Sequence, residues 1–238
     1  MGKEEFLVIY TSSNIDKNGM LFGKWKIKPD TWVITNRWQN FMYLLIGEEK
    51  ALLIDSGYGE GNIREFVEQI TDKPIMVLNT HGHFDHTGGN AWWTEAWMAE
   101  SAVPIARKTF EPVHDEWFNA KPHTNYRENI VKDGDLIDLG KRKLDIIAIP
   151  AHNESSIAIL DWQTRLLFVG DELESGQVLL FVRNKNISLH DVATAHKANM
   201  ERLKARRSDY DALCPAHNGV MLDPDTYIDD YIKLAEEL

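Results

Sequence analysis

Apolar residues along this chain come in short runs, a pattern that predicts brief buried strands with helices between them. Met42-Tyr43-Leu44-Leu45-Ile46 and Ala51-Leu52-Leu53-Ile54 flank the polar turn Gly47-Glu48-Glu49-Lys50 and read as a hairpin. Asn62 can cap a helix in which Ile63, Phe66, Val67 and Ile70 recur at helical spacing, and Pro74 opens another strand, Ile75-Met76-Val77-Leu78. The polar loop 79–89 follows at once. Next come a Trp-rich helix over 90–100, a short strand over 103–106, a helix over 110–119 and an irregular polar stretch over 120–135. Alternation returns in Leu144-Asp145-Ile146-Ile147-Ala148-Ile149, in 156–160 and in Leu166-Leu167-Phe168-Val169. A helix from Ser188 carries Val192, Ala195, His196, Asn199 and Leu203 on one side; a strand over 211–214 and a helix from Pro224 finish the pattern.

The loop after the third strand holds the chemistry. Four metal-capable side chains fall within six residues in Thr80-His81-Gly82-His83-Phe84-Asp85-His86-Thr87-Gly88-Gly89. Imidazoles and carboxylates suit zinc or iron, and the spacing lets His81 and His83 converge while Asp85 and His86 turn toward a second point. A fortuitous run of surface histidines is the bland alternative. It loses weight because His152, Asp171 and His217 each stand just past a predicted strand, where the remaining donors are needed. Two divalent ions about 3.5–4 Å apart can share a water, lower its pKa toward 7 and present hydroxide as nucleophile, with Asp85 holding and passing on the proton. Ile149-Pro150-Ala151-His152 and Cys214-Pro215-Ala216-His217 echo each other, which hints at two similar layers, and no low-complexity linker divides 1–238, so the chain reads as one domain.

Composition narrows the partners. With 43% hydrophobic and 26% charged residues over 238 positions, the chain is an ordinary globular protein with no disordered majority. A formal net charge of -11 without a dense Lys/Arg run repels phosphate backbones, so a small-molecule substrate is expected and nucleic acid is not. The single cysteine allows no internal disulfide, and Met1-Gly2-Lys3-Glu4-Glu5 is not an apolar leader. Phe6 stands where myristoylation wants Ser or Thr, and no apolar run nears the roughly 20 residues of a bilayer span. A cytoplasmic location with no membrane partner is the expectation.

Taken together, the motifs resemble those of the metallo-β-lactamase fold hydrolases. Their His-x-His-x-Asp-His signature stands here at 81–86, Leu53-Ile54-Asp55-Ser56-Gly57 is similar to their Ile-Asp-Thr-Gly turn, and Pro150-Ala151-His152, Val169-Gly170-Asp171 and Pro215-Ala216-His217 match their later motifs in order. The resemblance implies an α/β (α+β) fold, a four-layer αββα sandwich. It implies one metal on His81, His83 and His152, another on Asp85, His86 and His217, Asp171 bridging them, and Asp55 bracing the ligand loop. The implied cofactors are two divalent metal ions, zinc first, with iron or manganese as alternatives. The implied chemistry is attack of a hydroxide bound by both metals on an ester, thioester, lactone or amide.

Departures from the family pattern set the alternatives. Ala151 and Ala216 replace usual glycines, and Asn153 stands where many thioester-cleaving relatives carry Thr, which leaves thioesters without special support. The chain ends soon after His217, without room for the helical substrate domain of hydroxyacylglutathione hydrolases. Competing classes are an iron-dependent oxidoreductase of the same fold (persulfide dioxygenase or diiron type), a metal-retaining binding protein, and a secreted β-lactamase, which the missing leader disfavours. His83 argues against the diiron reductases, which carry Glu there. His114, His123, His190 and His196 read as structural or solvated, the last two as pocket-wall candidates; Cys214 reads as strand packing. Trp92, Trp93 and Trp97 suit either the core or an apolar mouth, and loops 36–42, 120–130 and 173–187 are the expected substrate walls.

Overall fold

The computed structural model describes residues 22–36, 39–59, 61–108, 126–182 and 186–237. Two β-sheets face each other. The first is built from β1 (Phe22–Lys28), β2 (Thr31–Asn36), β3 (Phe41–Ile46), β4 (Ala51–Ile54), β5 (Ile75–Leu78), β6 (Glu95–Ala99) and β7 (Arg127–Val131), hydrogen-bonded in that order. Its first four strands are antiparallel and its last four parallel. The second sheet comprises β8 (Leu136–Asp138), β9 (Lys143–Ala148), β10 (Ile157–Asp161), β11 (Leu166–Gly170) and β12 (Ala212–Pro215), ordered β12-β11-β10-β9-β8 with only β11 and β12 parallel.

Most central strands are apolar at both parities because both faces of each sheet are covered. In β3, Tyr43 and Leu45 point between the sheets, where they meet Leu144, Ile146, Ile159 and Phe168, while Met42 and Leu44 point outward onto Ile63, Phe66 and Val67. In β10 and β11, Ile159 and Phe168 share the inter-sheet layer, whereas Leu160 and Leu167 pack on Met200 and Leu203. Three apolar layers thus separate four structural ones, giving the αββα sandwich. The helices are α1 (Ile63–Val67), α2 (Phe84–Thr87), α3 (Val103–Ala106), α4 (Leu189–Ala205) and α5 (Pro224–Glu236). Asn62 caps α1, and Ser188 with Asp191 forms a capping box on α4. None of the described helices is long and apolar enough to cross a membrane.

The sheets are fastened at the end remote from the loop 79–89 by Arg142, a residue of the second sheet's edge that is 1% exposed. Its guanidinium donates to Asp161 Oδ2, to the carbonyls of Asp30 and Ile46, and to Thr31 Oγ1 at 2.7 Å.

Several expectations are corrected. The Trp-rich segment is not a helix: a 3-10 turn at Asn90–Trp92 leads into β6, whose alternating burial brings Ala96 and Met98 to one core layer and Trp97 to the other side. Trp93 is a core residue and Trp92 packs on the same layer, so these rings do not form a mouth. The strand expected at 103–106 is the single turn α3, because Pro104 fits a helix's first turn and supplies no ladder donor. Residues 127–131 are strand β7 rather than an irregular loop, which removes them from the substrate walls. On α4 the buried side is Val192, Ala193, His196, Asn199, Met200 and Leu203, with Ala195 exposed. The proline–histidine echo lies within one sheet, after β9 and β12, so it does not relate the two layers. The expected helix at 110–119, His114 and His123 lie outside the described residues.

Candidate metal centre

Strands β4, β5, β9, β11 and β12 all end at one seam between the sheets, and each delivers a side chain there. β4 ends in Asp55, a non-glycine residue with φ 60°, whose left-handed turn swings its carboxylate under the next loop. Asp55 accepts from Thr80 N (2.7 Å), Thr80 Oγ1 (2.8 Å) and His86 Nδ1 (2.8 Å). The loop after β5 is drawn in tightly: a side chain at Gly88 would stand 2.2 Å from the Tyr58 carbonyl carbon, so only glycine permits this approach. Three donors, Ser56 N, Ser56 Oγ and Asn79 Nδ2, hold the carbonyl of His86.

Two groups of potential donors result. His81, His83, His152 and Asp171 bring one ligand atom each to within 4.8 Å of one another, and Asp85, His86, Asp171 and His217 do the same. Asp171 belongs to both. All seven predicted residues are therefore brought together, and Asp55 lies against the loop. His81 Nε2 and His152 Nε2 stand 2.8 and 3.1 Å from His83 Nδ1, three nitrogens aimed at one point. The far nitrogens are anchored: His81 Nδ1 meets Thr80 Oγ1, His86 Nδ1 meets Asp55, and His152 Nδ1 donates to the Leu179 carbonyl at 2.6 Å. Fixing the outer nitrogen in this way presents the inner lone pair to a metal. Buried His86 Nε2 and Asp171 Oδ1 lie 3.3 Å apart with no hydrogen-bond partner among the described residues. Orphaned atoms of this kind, in a nitrogen and oxygen donor set, fit a pair of divalent ions.

The protonation states agree with that donor chemistry. Burial, then the neighbouring His86, hold His81 well below its usual value, so its imidazole is neutral. Burial would raise Asp85, but His86 and His217 outweigh it and keep the carboxyl well below the usual range. Asp171 is lowered by the same balance against His86, His81 and His217. Without metal, His86 is raised despite its burial because Asp171, Asp85 and Asp55 surround it.

Glu172, Ser155 and Glu174 were not singled out by sequence. Glu172 is fully buried; its Oε1 accepts from Ala151 N (3.0 Å) and Asn153 N (3.4 Å) and clamps the loop of His152, and burial pushes its carboxyl up to about 8. Ser155 Oγ accepts from Gly82 N and so ties the His152 loop to the His81 loop. Glu174, pushed up to about 7 by burial and then by Asp171, accepts from Asn218 beside His217. His196 Nε2 donates to the Glu172 carbonyl at 2.7 Å, and His190 is exposed. Neither belongs to the two donor groups. Cys214 is buried with its thiol pushed up to about 12 by burial, in keeping with packing.

The sequence pattern of the Metallo-beta-lactamase superfamily matches residues 35–217, a span that begins in β2 and ends on the last donor. The chain belongs to that superfamily. Among solved structures, a metallo-beta-lactamase from Pontibacter korlensis superposes with a TM-score of 0.67 at 17% identity, covering 91% of this chain and 100% of that one, which shows the shared fold. An acyl-coenzyme A thioesterase, MBLAC2 of Gallus gallus, is 26% identical over 172 residues, 62% of this chain and 62% of its own length. A hydroxyacylglutathione hydrolase of Francisella philomiragia is 29% identical over 144 residues, 60% of this chain and 50% of its own. The chain thus spans less than two thirds of the length of these curated relatives.

Proposed function

We propose that the protein is a metal-dependent hydrolase that cleaves a thioester, or a comparable ester, of a small acyl compound. The observation that carries this reading is the pair of donor groups sharing Asp171 at the seam, with outer histidine nitrogens anchored and inner ones converging. In this reading His81, His83 and His152 hold one divalent ion, Asp85, His86 and His217 the other, Asp171 serves both, and zinc is the first choice. When bound, two such ions supply Lewis acidity and bring the pKa of water toward about 7. The protein's own residues do the rest. Asp85, ionised and 14% exposed at its side chain, takes the proton released as water attacks the carbonyl and passes it to the departing thiolate. His217, 20% exposed, stands on the open side of the second group.

Both curated relatives bear names of thioester-cleaving enzymes, which supports the thioester choice. The sequence-based objection from Asn153 loses its force. That side chain is fully buried and its Oδ1 accepts from Ser155 N and Ser155 Oγ, so it braces the loop rather than meeting substrate.

The test is elemental analysis of protein purified without chelators, together with turnover of acyl-coenzyme A, S-acylglutathione, aryl ester, lactone, phosphodiester and β-lactam substrates. Close to two zinc ions per chain and thioester cleavage that is lost with chelator and restored by zinc are expected. One ion or fewer after zinc or manganese is supplied, or iron with oxygen consumption in place of hydrolysis, overturns the proposal.

A further inference from the structure

The segment after β11 carries apolar side chains that the fold does not bury. Leu179, Phe181 and Val182 are 51%, 43% and 47% exposed, and Ile187 and Leu189 follow on the same connection at 43% and 54%. Contiguous exposed apolar side chains beside a site are a candidate binding surface. Their position is set by the metal centre. The Leu179 carbonyl receives the His152 Nδ1 hydrogen bond at 2.6 Å, and the Phe181 ring lies 5.5 Å from the His152 ring and 6.3 Å from the His83 ring. Phe84, next to His83 and 38% exposed, adds another ring, packed edge-on against Tyr58 at 5.4 Å. The run Gln177-Val178-Leu179-Leu180-Phe181-Val182 contains no charged side chain.

We propose that Leu179, Phe181 and Val182 form the acyl wall of the site and select substrates with an extended apolar acyl chain. This rests on the hydrolase reading above for the reaction, while the wall itself is argued from exposure and distance. The acyl carbonyl sits at the donor groups and the hydrocarbon runs along Phe181, shielding these side chains from water. Each methylene so covered strengthens binding by about two- to fourfold.

The experiment uses the metal-loaded protein and two probe series. Calorimetric dissociation constants for acetate, butyrate, hexanoate and octanoate read the wall without turnover; kcat/KM for the matching acyl-coenzyme A thioesters reads it with turnover. Wild type should tighten about two- to fourfold per added methylene. The octanoate-to-acetate ratio should collapse by at least about tenfold in Phe181→Ala and in Val182→Asp, and stay as in wild type in Leu234→Ala, an exposed apolar position on α5. Since all three side chains are exposed, the fold does not depend on them. A chain-length slope in binding that the variants abolish, with no thioester cleaved, supports the wall and removes the hydrolase reading. Cleavage without chain-length preference, a slope untouched by both variants, or binding to phosphatidylcholine–phosphatidylglycerol vesicles in place of the fatty acids overturns the wall.

Discussion

Asp55→Asn tests how the fold prepares the second donor group. The carboxylate meets two obligatory donors, Thr80 N–H and His86 Nδ1–H, through different oxygens. An amide has one oxygen, so one of the two contacts must fail. If the amide nitrogen faces Thr80 N–H, two donors collide. If it faces His86, the imidazole must move its proton to Nε2, the nitrogen aimed at Asp85 and Asp171, where a proton blocks metal binding. Losing a hydrogen bond to a charged acceptor costs about 1.5–3 kcal/mol, which is roughly 10–150-fold in affinity. Changes around metal-bound histidines typically cost about 10–100-fold, in the same range. Competition with a chromophoric chelator should show one ion held as in wild type and the other weakened by about 10–100-fold. The loss should match in kind the one produced by His217→Ala. If Asp55→Asn bound both ions with wild-type affinity, the argument that Asp55 sets the His86 tautomer would fall.

Asp85→Asn keeps the side chain's shape but cannot accept a proton, so kcat should fall by about 10²–10⁴-fold with both ions present; a rate near wild type would exclude Asp85 as the proton carrier. Arg142→Met leaves Asp161 buried without its partner, which should cost about 3–5 kcal/mol and lower Tm by roughly 6–20 °C at equal metal content. A drop under about 3 °C by calorimetry would mean the far end of the sandwich is not held by this residue. Glu172 has its carboxyl raised to about 8, so the folded chain keeps a proton that the unfolded chain sheds near its ordinary value of about 4.3. Its stabilising contribution is present below that ordinary value and is lost as pH rises toward 8. The Tm of wild type minus that of Glu172→Gln should therefore decline between about pH 5 and 8.5, and a flat difference would contradict the assignment.

Much of the fold was legible because burial on both faces leaves continuous apolar runs. β3, β4, β5, β10 and β11 stand out this way, and the exits of β5 and β11 locate His81–His86 and Asp171. Where a strand is half-exposed the signal weakens: in β6, Glu95, Trp97 and Ala99 alternate with buried Ala96 and Met98, and the tryptophans imitate a helical face. α3 misleads in the other direction, since Val103 and Ile105 favour strand while Pro104, in the first turn, favours a helix start. In the candidate site, the donors follow a spacing that sequence can display. Their supports do not. Leu179 contributes a backbone carbonyl, Glu172 binds backbone amides, and Ser155 reaches a glycine 73 positions away, contacts that only the folded chain brings together.

The two sheets are drawn from successive stretches of chain, β1–β7 from 22–131 and β8–β12 from 136–215, and the seam between them therefore keeps time. As the polypeptide emerges from its N terminus, His81 through His86 appear long before anything can complete their shell. The first group lacks its fourth member until Asp171 has been made, and the second until His217. The last donor arrives only after β12 has closed the edge of its sheet beside β11. A chain cut short of that strand would still carry every donor of the first group but not the last donor of the second, so filling both groups would require synthesis at least as far as His217.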